Sequence, residues 1–557
     1  MRVVLGAKGD LPMAKWTYDV SYMFGRTTDA QDGGGQVNSG NVRAALDAVV
    51  DPSSGAIVCR DAIARAAGCA PLNIFDLGGI TPAAQAWINA TVTRSVVIQE
   101  QVLSANATGP RVQLPAGAMT LAVGAEERKD SSQEVWDPLT NTGQNGGNAL
   151  PNVSGAINVR EVYAELSVPV LKDFPGFKSL TLDGAYRHGN YSTVGGVNTW
   201  KLSVDWAPVQ DFRVRAVYST ALRAPNVREL YGGLAETFPS GFVGPCDGIS
   251  AASTGATATA CKAIPGVSRA IQNGGTFNYS FLDYQNINGF VGSNARLKQE
   301  TAKTGTFGVV WRPEALRSLS ASVDYFDIKI NQAVSVVDPQ SSISNCLANG
   351  APEFCGNVIR STATGKIITV NQQSINVGAI KTAGIESAVH YKLELPSIGS
   401  SLAFELNETH LLQLQQVNFP SAPIQDGINS LSFVDGAGFR DRAVLMTYFI
   451  RGPLEVSWTA NYMCATNDVL PSATTTVVST LYNSVPAYTY HDVQVRYSIP
   501  FATTRKLDLY GGIKNAFDKQ PPFLPSGMAS EITGTETAAS TYDVVGRYFY
   551  AGVNAKF

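Results

Sequence analysis

The sequence is short of charge, of histidine and of long apolar runs, and each shortage excludes something. Lys and Arg number 42 against 45 Asp and Glu, charged residues are 16% of the 557, and the net charge is −3. No basic surface dense enough to neutralise a run of nucleic-acid phosphates is visible. The 4 histidines, His188, His390, His410 and His491, are scattered. No GxSxG, HExxH or GxxxxGK(S/T) arrangement occurs, so no catalytic residue, cofactor site or metal site is assigned and no enzyme is expected. No two cysteines have CxxC spacing, which argues against zinc. No stretch of about 18 apolar residues marks a transmembrane helix. That last absence leaves a β-barrel open, because closed strands satisfy their own backbone hydrogen bonds in lipid.

What is present is alternation. Read backwards from the carboxyl end, Phe557, Ala555, Val553, Ala551 and Phe549 share one side of a strand, and Lys556, Asn554, Gly552, Tyr550 and Tyr548 share the other. Val162, Ala164, Leu166 and Val168 alternate with Glu161, Tyr163, Glu165 and Ser167. Trp200, Leu202, Val204 and Trp206 alternate with Thr199, Lys201, Ser203 and Asp205. Leu507, Leu509 and Ile513 alternate with Asp508, Tyr510 and Lys514. Acidic and basic groups on one face suit a wet bore, and the apolar face then meets lipid. A soluble β-sandwich or propeller is the competing reading, with the polar face simply outside. The 44% hydrophobic content and 52 glycines fit either.

The pattern predicts an all-β chain of about seventeen antiparallel strands. The gaps between them alternate in length. Short ones include APVQ, RPEALR and RGP; long ones cover residues 25–90, 129–156, 222–296, 333–375, 413–437, 465–486 and 516–541. A transmembrane barrel places short turns on the periplasmic side and long loops outside. The cysteines follow the same division. Cys59 and Cys69, Cys246 and Cys261, and Cys346 and Cys355 are locally spaced and fall in long gaps, as disulfide staples of exposed loops would. Connectivity stays open at this point. Cys464 is left over, near a strand end, and reads as a buried free thiol. The apolar phase changes faces between Tyr325 and Phe326, which predicts a bulge there. Residues 61–67, within 51–76, read as helical.

An odd strand count sets the first and last strands parallel, whereas single-chain bacterial barrels are even and antiparallel. A strand-like RVVLGAKG follows Met1 directly, with no secretory signal before it. The expectation is that an amino-terminal part lies outside this chain.

In this order, STALRAPNVRELYGG (219–233), LKQETAKTGTFGVVWRP (297–313), SVDYFDIKINQAV (322–334), TAGIESAVHYKL (382–393), NAFDKQPP (515–522) and GRYFYAGVNAKF (546–557) run to the carboxyl end. This series resembles the TonB-dependent outer-membrane receptors. The resemblance implies a barrel of about 22 strands occluded by an amino-terminal plug. Residues 1–557 would then be a partial barrel, with the plug, the first strands and the TonB-contacting segment absent. It also implies a Gram-negative outer membrane, lipid and lipopolysaccharide around the wall, and barrel-assembly machinery reading Phe557. The complete protein would take up a scarce solute, a siderophore or oligosaccharide, through the TonB energy-coupling complex; this portion alone would be inactive. A passive channel, an outer-membrane hydrolase and a soluble carbohydrate-binding β-protein are the alternatives.

Within that frame, Arg223, Pro225 and Glu229 stand where a strand gives way to the longest loop, 222–296. An exposed Arg–Glu pair there contributes only about 0–1 kcal/mol, so these are structural candidates. Gly546 is expected to allow close approach in the last strand, with Arg547 beside it at the strand's interfacial or outer end. The aromatics of the long loop, Tyr231, Phe238, Phe242, Tyr279 and Tyr284, are the candidate ligand contacts, set against simple loop packing.

Overall fold

The computed structural model describes the chain except residues 12–15, 110–111, 240–242, 273, 420–421, 432–436, 469–482, 503–504, 525–535 and 557. Among the described residues, seventeen long strands form one sheet, wound as an antiparallel meander in chain order. They are β1 (Arg2–Leu11), β2 (Trp16–Val37), β3 (Asn89–Thr108), β4 (Gly117–Trp136), β5 (Val153–Phe174), β6 (Phe177–Tyr191), β7 (Gly195–Val209), β8 (Phe212–Arg223) and β9 (Glu300–Trp311). They continue as β10 (Leu319–Val336), β11 (Gln372–Leu395), β12 (Ser400–Val417), β13 (Asp441–Arg451), β14 (Leu454–Met463), β15 (Tyr488–Ala502), β16 (Arg505–Lys514) and β17 (Tyr548–Lys556). Each expected strand has its counterpart. The main differences are at the ends: β2 runs to Val37 and β4 to Trp136, so two predicted gaps are shorter than alternation implied.

The wall has a wet side and an apolar side. On the wet side Lys201 reaches Glu165 at 2.7 Å, Ser203 donates to Asp183 at 3.0 Å, and Arg215 binds Asp324 through two nitrogens. On the other side Leu202, Val323 and Val553 are 60%, 52% and 64% exposed. These apolar groups do not meet across a dry interior. The hydrophobic cores instead lie mostly in the connecting loops. A sheet that turns its apolar face outward and its ion pairs inward is built for lipid. Within the bore, glycine makes room for rings: a Cβ on Gly512 would meet the Tyr550 ring at 2.5 Å, so only glycine lets that ring lie flat across β16.

The bulge expected between Tyr325 and Phe326 is absent. Both residues pair in unbroken register with Phe307 and Thr306 on β9 and with Ile385 and Gly384 on β11. The apolar run changes faces because the surroundings change. Phe326 turns to the bore, where Gly384 leaves space for its ring, while Asp327 and Lys329 take over the outer face. The register of β10 and β11 shifts instead around Ala333, beside Gln332, whose φ is 56°.

The long connections share one end of the meander and hold short helices. In residues 38–88, α1 (Ser39–Leu46), α2 (Ala62–Ala66) and α3 (Pro82–Ile88) start at Asn38, Asp61 and Thr81, whose side-chain oxygens accept from free backbone N–H groups. The 61–67 helix is thus present as α2. The β8–β9 loop and the β10–β11 loop pack together around Val267, Phe277, Ile287, Ile343, Ile367 and Val370. Cys59–Cys69, Cys246–Cys261 and Cys346–Cys355 are bonded, each within its own loop. Cys464 is a buried free thiol.

Candidate functional site

The site begins where β8 ends. Arg223 is the cross-strand partner of Glu300 on β9 and binds it through Nε at 2.7 Å and Nη2 at 2.8 Å. Its Nη1 and Nη2 also reach both oxygens of Glu229, at 2.9 and 3.0 Å. Glu229 sits in α4 (Val227–Tyr231), and its carboxylate accepts from the backbone of Asn226, which caps the helix in return. Glu300 also accepts the backbone N–H of Val334, from β10, at 2.7 Å. One guanidinium therefore joins β8, β9, β10 and the loop exit, with Pro225 buried beside it. The expected Arg223–Glu229 pair is present. Glu300 was the member sequence reasoning did not assign, although it stands in the LKQE segment; its role depends on a register set across 77 residues.

Beside this junction, a cavity of about 650 Å³ opens into the upper bore, lined by Arg94, Arg128, Glu134, Tyr191, Arg223 and Arg228. A second, of about 380 Å³, shares Arg128 and Tyr191 and adds Glu161, Arg187 and Thr199. Strand alternation sends these side chains inward from β3 to β8, except Arg228, which stands in α4. Arg94 binds Glu134 at 2.7 Å and lies over the Trp136 ring. Arg187 binds Glu161 and lies over the Tyr163 ring. Donor capacity remains: Arg187 Nε is buried without an acceptor among the described residues. Arg128 Nε lies 3.1 Å from Asp130, yet not in hydrogen-bond geometry. Arg228 is exposed and makes no ion pair among the described residues. Such an array suits an acceptor-rich, negatively charged ligand. Sequence reasoning missed it; the only signal was an arginine recurring on polar faces.

The predicted loop aromatics divide. Tyr279 is 9% exposed, stacks on Tyr284 with centroids 4.9 Å apart, and accepts the Ile367 N–H at 2.7 Å. Tyr284 accepts from Gly244 N and donates to Asp247, at 3.1 Å each. Burial pushes both phenols above their ordinary pKa. These two rings are loop core and do not reach the cavity lining. Tyr231 and Phe238 are exposed, at 39% and 57%. Tyr231 lies against Gly155, where a Cβ would meet its ring at 2.4 Å. Phe242 and Phe557 lie outside the described residues. Gly546 precedes β17 rather than standing in it, with φ 76°, and its N–H points to Asp543. Arg547 also precedes the strand, and its N–H binds Asp518 at 2.9 Å. The turn that Asp518 and Asp543 hold together, not a strand face, uses this Gly–Arg pair.

Solved structures give the same architecture. A mutant of the ferric enterobactin receptor from Pseudomonas aeruginosa, in complex with enterobactin, aligns with a TM-score of 0.58 at 16% identity. The siderophore receptor PirA from Acinetobacter baumannii aligns at 0.53 and 13%. The FrpB iron transporter from Neisseria meningitidis aligns at 0.52 and 14%. Each alignment covers 100% of this chain and 62% of the other, so the chain spans less than two thirds of the length of these proteins. At these identities the likeness concerns fold. The family model described as TonB dependent receptor-like, beta-barrel matches residues 14–516, and the chain belongs to that family of Gram-negative outer-membrane receptors and transporters, which are not enzymes.

Proposed function

We propose that this wall belongs to a receptor that takes up a small anionic chelate of the ferric siderophore class, in a longer protein coupled to the TonB complex. The observation that carries the reading is the arginine-lined cavity at the long-loop end, formed by Arg94, Arg128, Arg187, Arg223 and Arg228. Fixed guanidinium groups favour ligands with planar, charged oxygens, and partial burial strengthens each contact. A neutral oligosaccharide would draw instead on exposed aromatic faces, and Tyr279 and Tyr284 are committed to the loop core. The similar Pseudomonas structure is of a ferric enterobactin receptor mutant in complex with enterobactin, a name of the siderophore-receptor class.

The test uses the receptor with its full native chain. Ferric catecholate should bind saturably, and Arg228→Ala with Arg187→Gln should weaken it while leaving the folded barrel intact. Saturable binding of neutral oligosaccharides with none of the chelate would reject the ligand class. Steady ion current without ligand would favour the passive channel. Residues 1–557 alone, in a receptor-deficient strain, should give no energy-dependent uptake.

A further inference from the structure

The outer face of the wall carries a cluster unrelated to the bore. Glu408 and His410 lie two residues apart on β12, and Asp441 begins β13 directly opposite His410. Alternation puts all three on the face of Leu406, Ala443 and Leu445, while Glu405, Asn407 and Arg442 turn to the bore. Tyr462, on β14 beside Ala443, is 38% exposed on the same outer face. The donor atoms of Glu408, His410 and Asp441 all lie within 4.8 Å of one another. His410 Nδ1 is 2.5 Å from Asp441 Oδ1. Among the described residues, Glu408 has no hydrogen-bond or ion-pair partner, and Asp441 pairs with no lysine or arginine.

We propose that these three side chains hold a divalent transition-metal ion of the zinc type on the outer rim of the barrel. Two carboxylate oxygens and one imidazole nitrogen form a borderline donor set; calcium and magnesium prefer oxygen alone. In the site the imidazole nitrogen and both carboxylates would face the cation. A divalent ion would offset two carboxylates that, among the described residues, have no lysine or arginine partner. The donors come from two paired strands whose backbones fix their spacing, so little ordering is required. The ion would also tie the mouth of the 418–440 connection, because Leu411 N donates to Arg440 O at 2.7 Å next to the cluster. The Asp441 carbonyl accepts from Cys464 N, extending the tie to the end of β14.

The experiment is calorimetric titration of the detergent-solubilised, folded chain with Zn2+, Mg2+ and Ca2+. Zn2+ should bind saturably at one site, and Mg2+ and Ca2+ should not compete. Losing a ligand costs at least the roughly tenfold that loss of an outer-shell partner costs, so His410→Gln and Asp441→Asn should each weaken Zn2+ binding by that or more. His390→Gln removes an imidazole that faces Glu405 in the bore and should leave binding unchanged. Heat-modifiable gel mobility reports whether each variant folds, and Glu408→Gln supplies a third if one does not. Absent zinc binding, equal binding by folded His410→Gln, or equal affinity for Mg2+ would each overturn the proposal.

Discussion

Arg223 is held by two carboxylates from different directions, so its loss is felt in three strands. Arg223→Ala leaves Glu300, whose side chain is 13% exposed, with only the Val334 N–H as partner among the described residues. An under-satisfied, largely buried carboxylate costs about 1–3 kcal/mol, sometimes more for a charged group. The expected result is a lower urea midpoint for the folded barrel, followed by gel mobility. Arg223→Lys should recover little, because an ammonium cannot span two carboxylates through a planar fork. Full stability in Arg223→Ala would mean the junction is ornamental. Half of this junction was legible in sequence: Arg223 and Glu229 are six residues apart and flank a proline. Glu300 was not, because cross-strand partners follow from register, and register becomes visible only when the sheet forms.

At the scale of elements, strands were legible and loop interiors were not. A stave between lipid and water must alternate, so its period is written in its residues. A loop folds by packing on other loops, and that packing leaves no period. The eleven-residue helix Pro339–Asn349 and the pairing of the 224–299 and 337–371 segments were therefore missed, while the cysteine spacings correctly pointed to staples. The Cys246–Cys261 bridge closes a separation of 15 residues, for which chain entropy gives about 3 kcal/mol. Replacing both cysteines with serine should speed proteolysis within the β8–β9 loop and leave the barrel's heat-resistant mobility unchanged. Unchanged proteolysis would mean that Val267, Phe277 and Ile343 hold the loop by packing alone.

The same two loops are joined by charge. Asp283 accepts from Lys366 Nζ at 2.6 Å and from Ser280 N–H and O–H, and Lys366 first and Ser280 next lower its pKa from 3.8 to about 2. A carboxyl depressed in the folded state stabilises fully above its unfolded value and loses that contribution as pH falls through the folded one. Loop docking should therefore weaken between pH 3.8 and about 2, read as hydrogen exchange at the backbone N–H of Tyr284 and Ile367. Asp283→Asn should abolish that acid-dependent step. An unchanged acid profile in the variant would assign the loss to other carboxylates.

For the whole molecule, the decisive quantity is which medium each face meets. Alternation fixed the two faces but not their solvents; bore ion pairs such as Arg215–Asp324 and exposed residues such as Leu202 decide between a barrel and a sandwich. The misplaced bulge at Tyr325 shows the same limit, since an apolar run changed sides with no break in register. Adjacent residues on β7 make the test. Leu202 is 60% exposed on the apolar face, whereas Ser203 donates to Asp183 in the bore. Arginine at a lipid-facing position near the bilayer midplane costs about 2–4 kcal/mol, falling toward zero at the interfaces. Leu202→Arg should thus lower the yield of assembled barrel in the outer membrane, while Ser203→Arg, one residue on and facing water and carboxylates, should be tolerated. Two substitutions of the same charge then separate by face alone. Equal assembly of both would mean that lipid does not bathe the Leu202 face, and the membrane orientation of this wall would have to be reversed or abandoned.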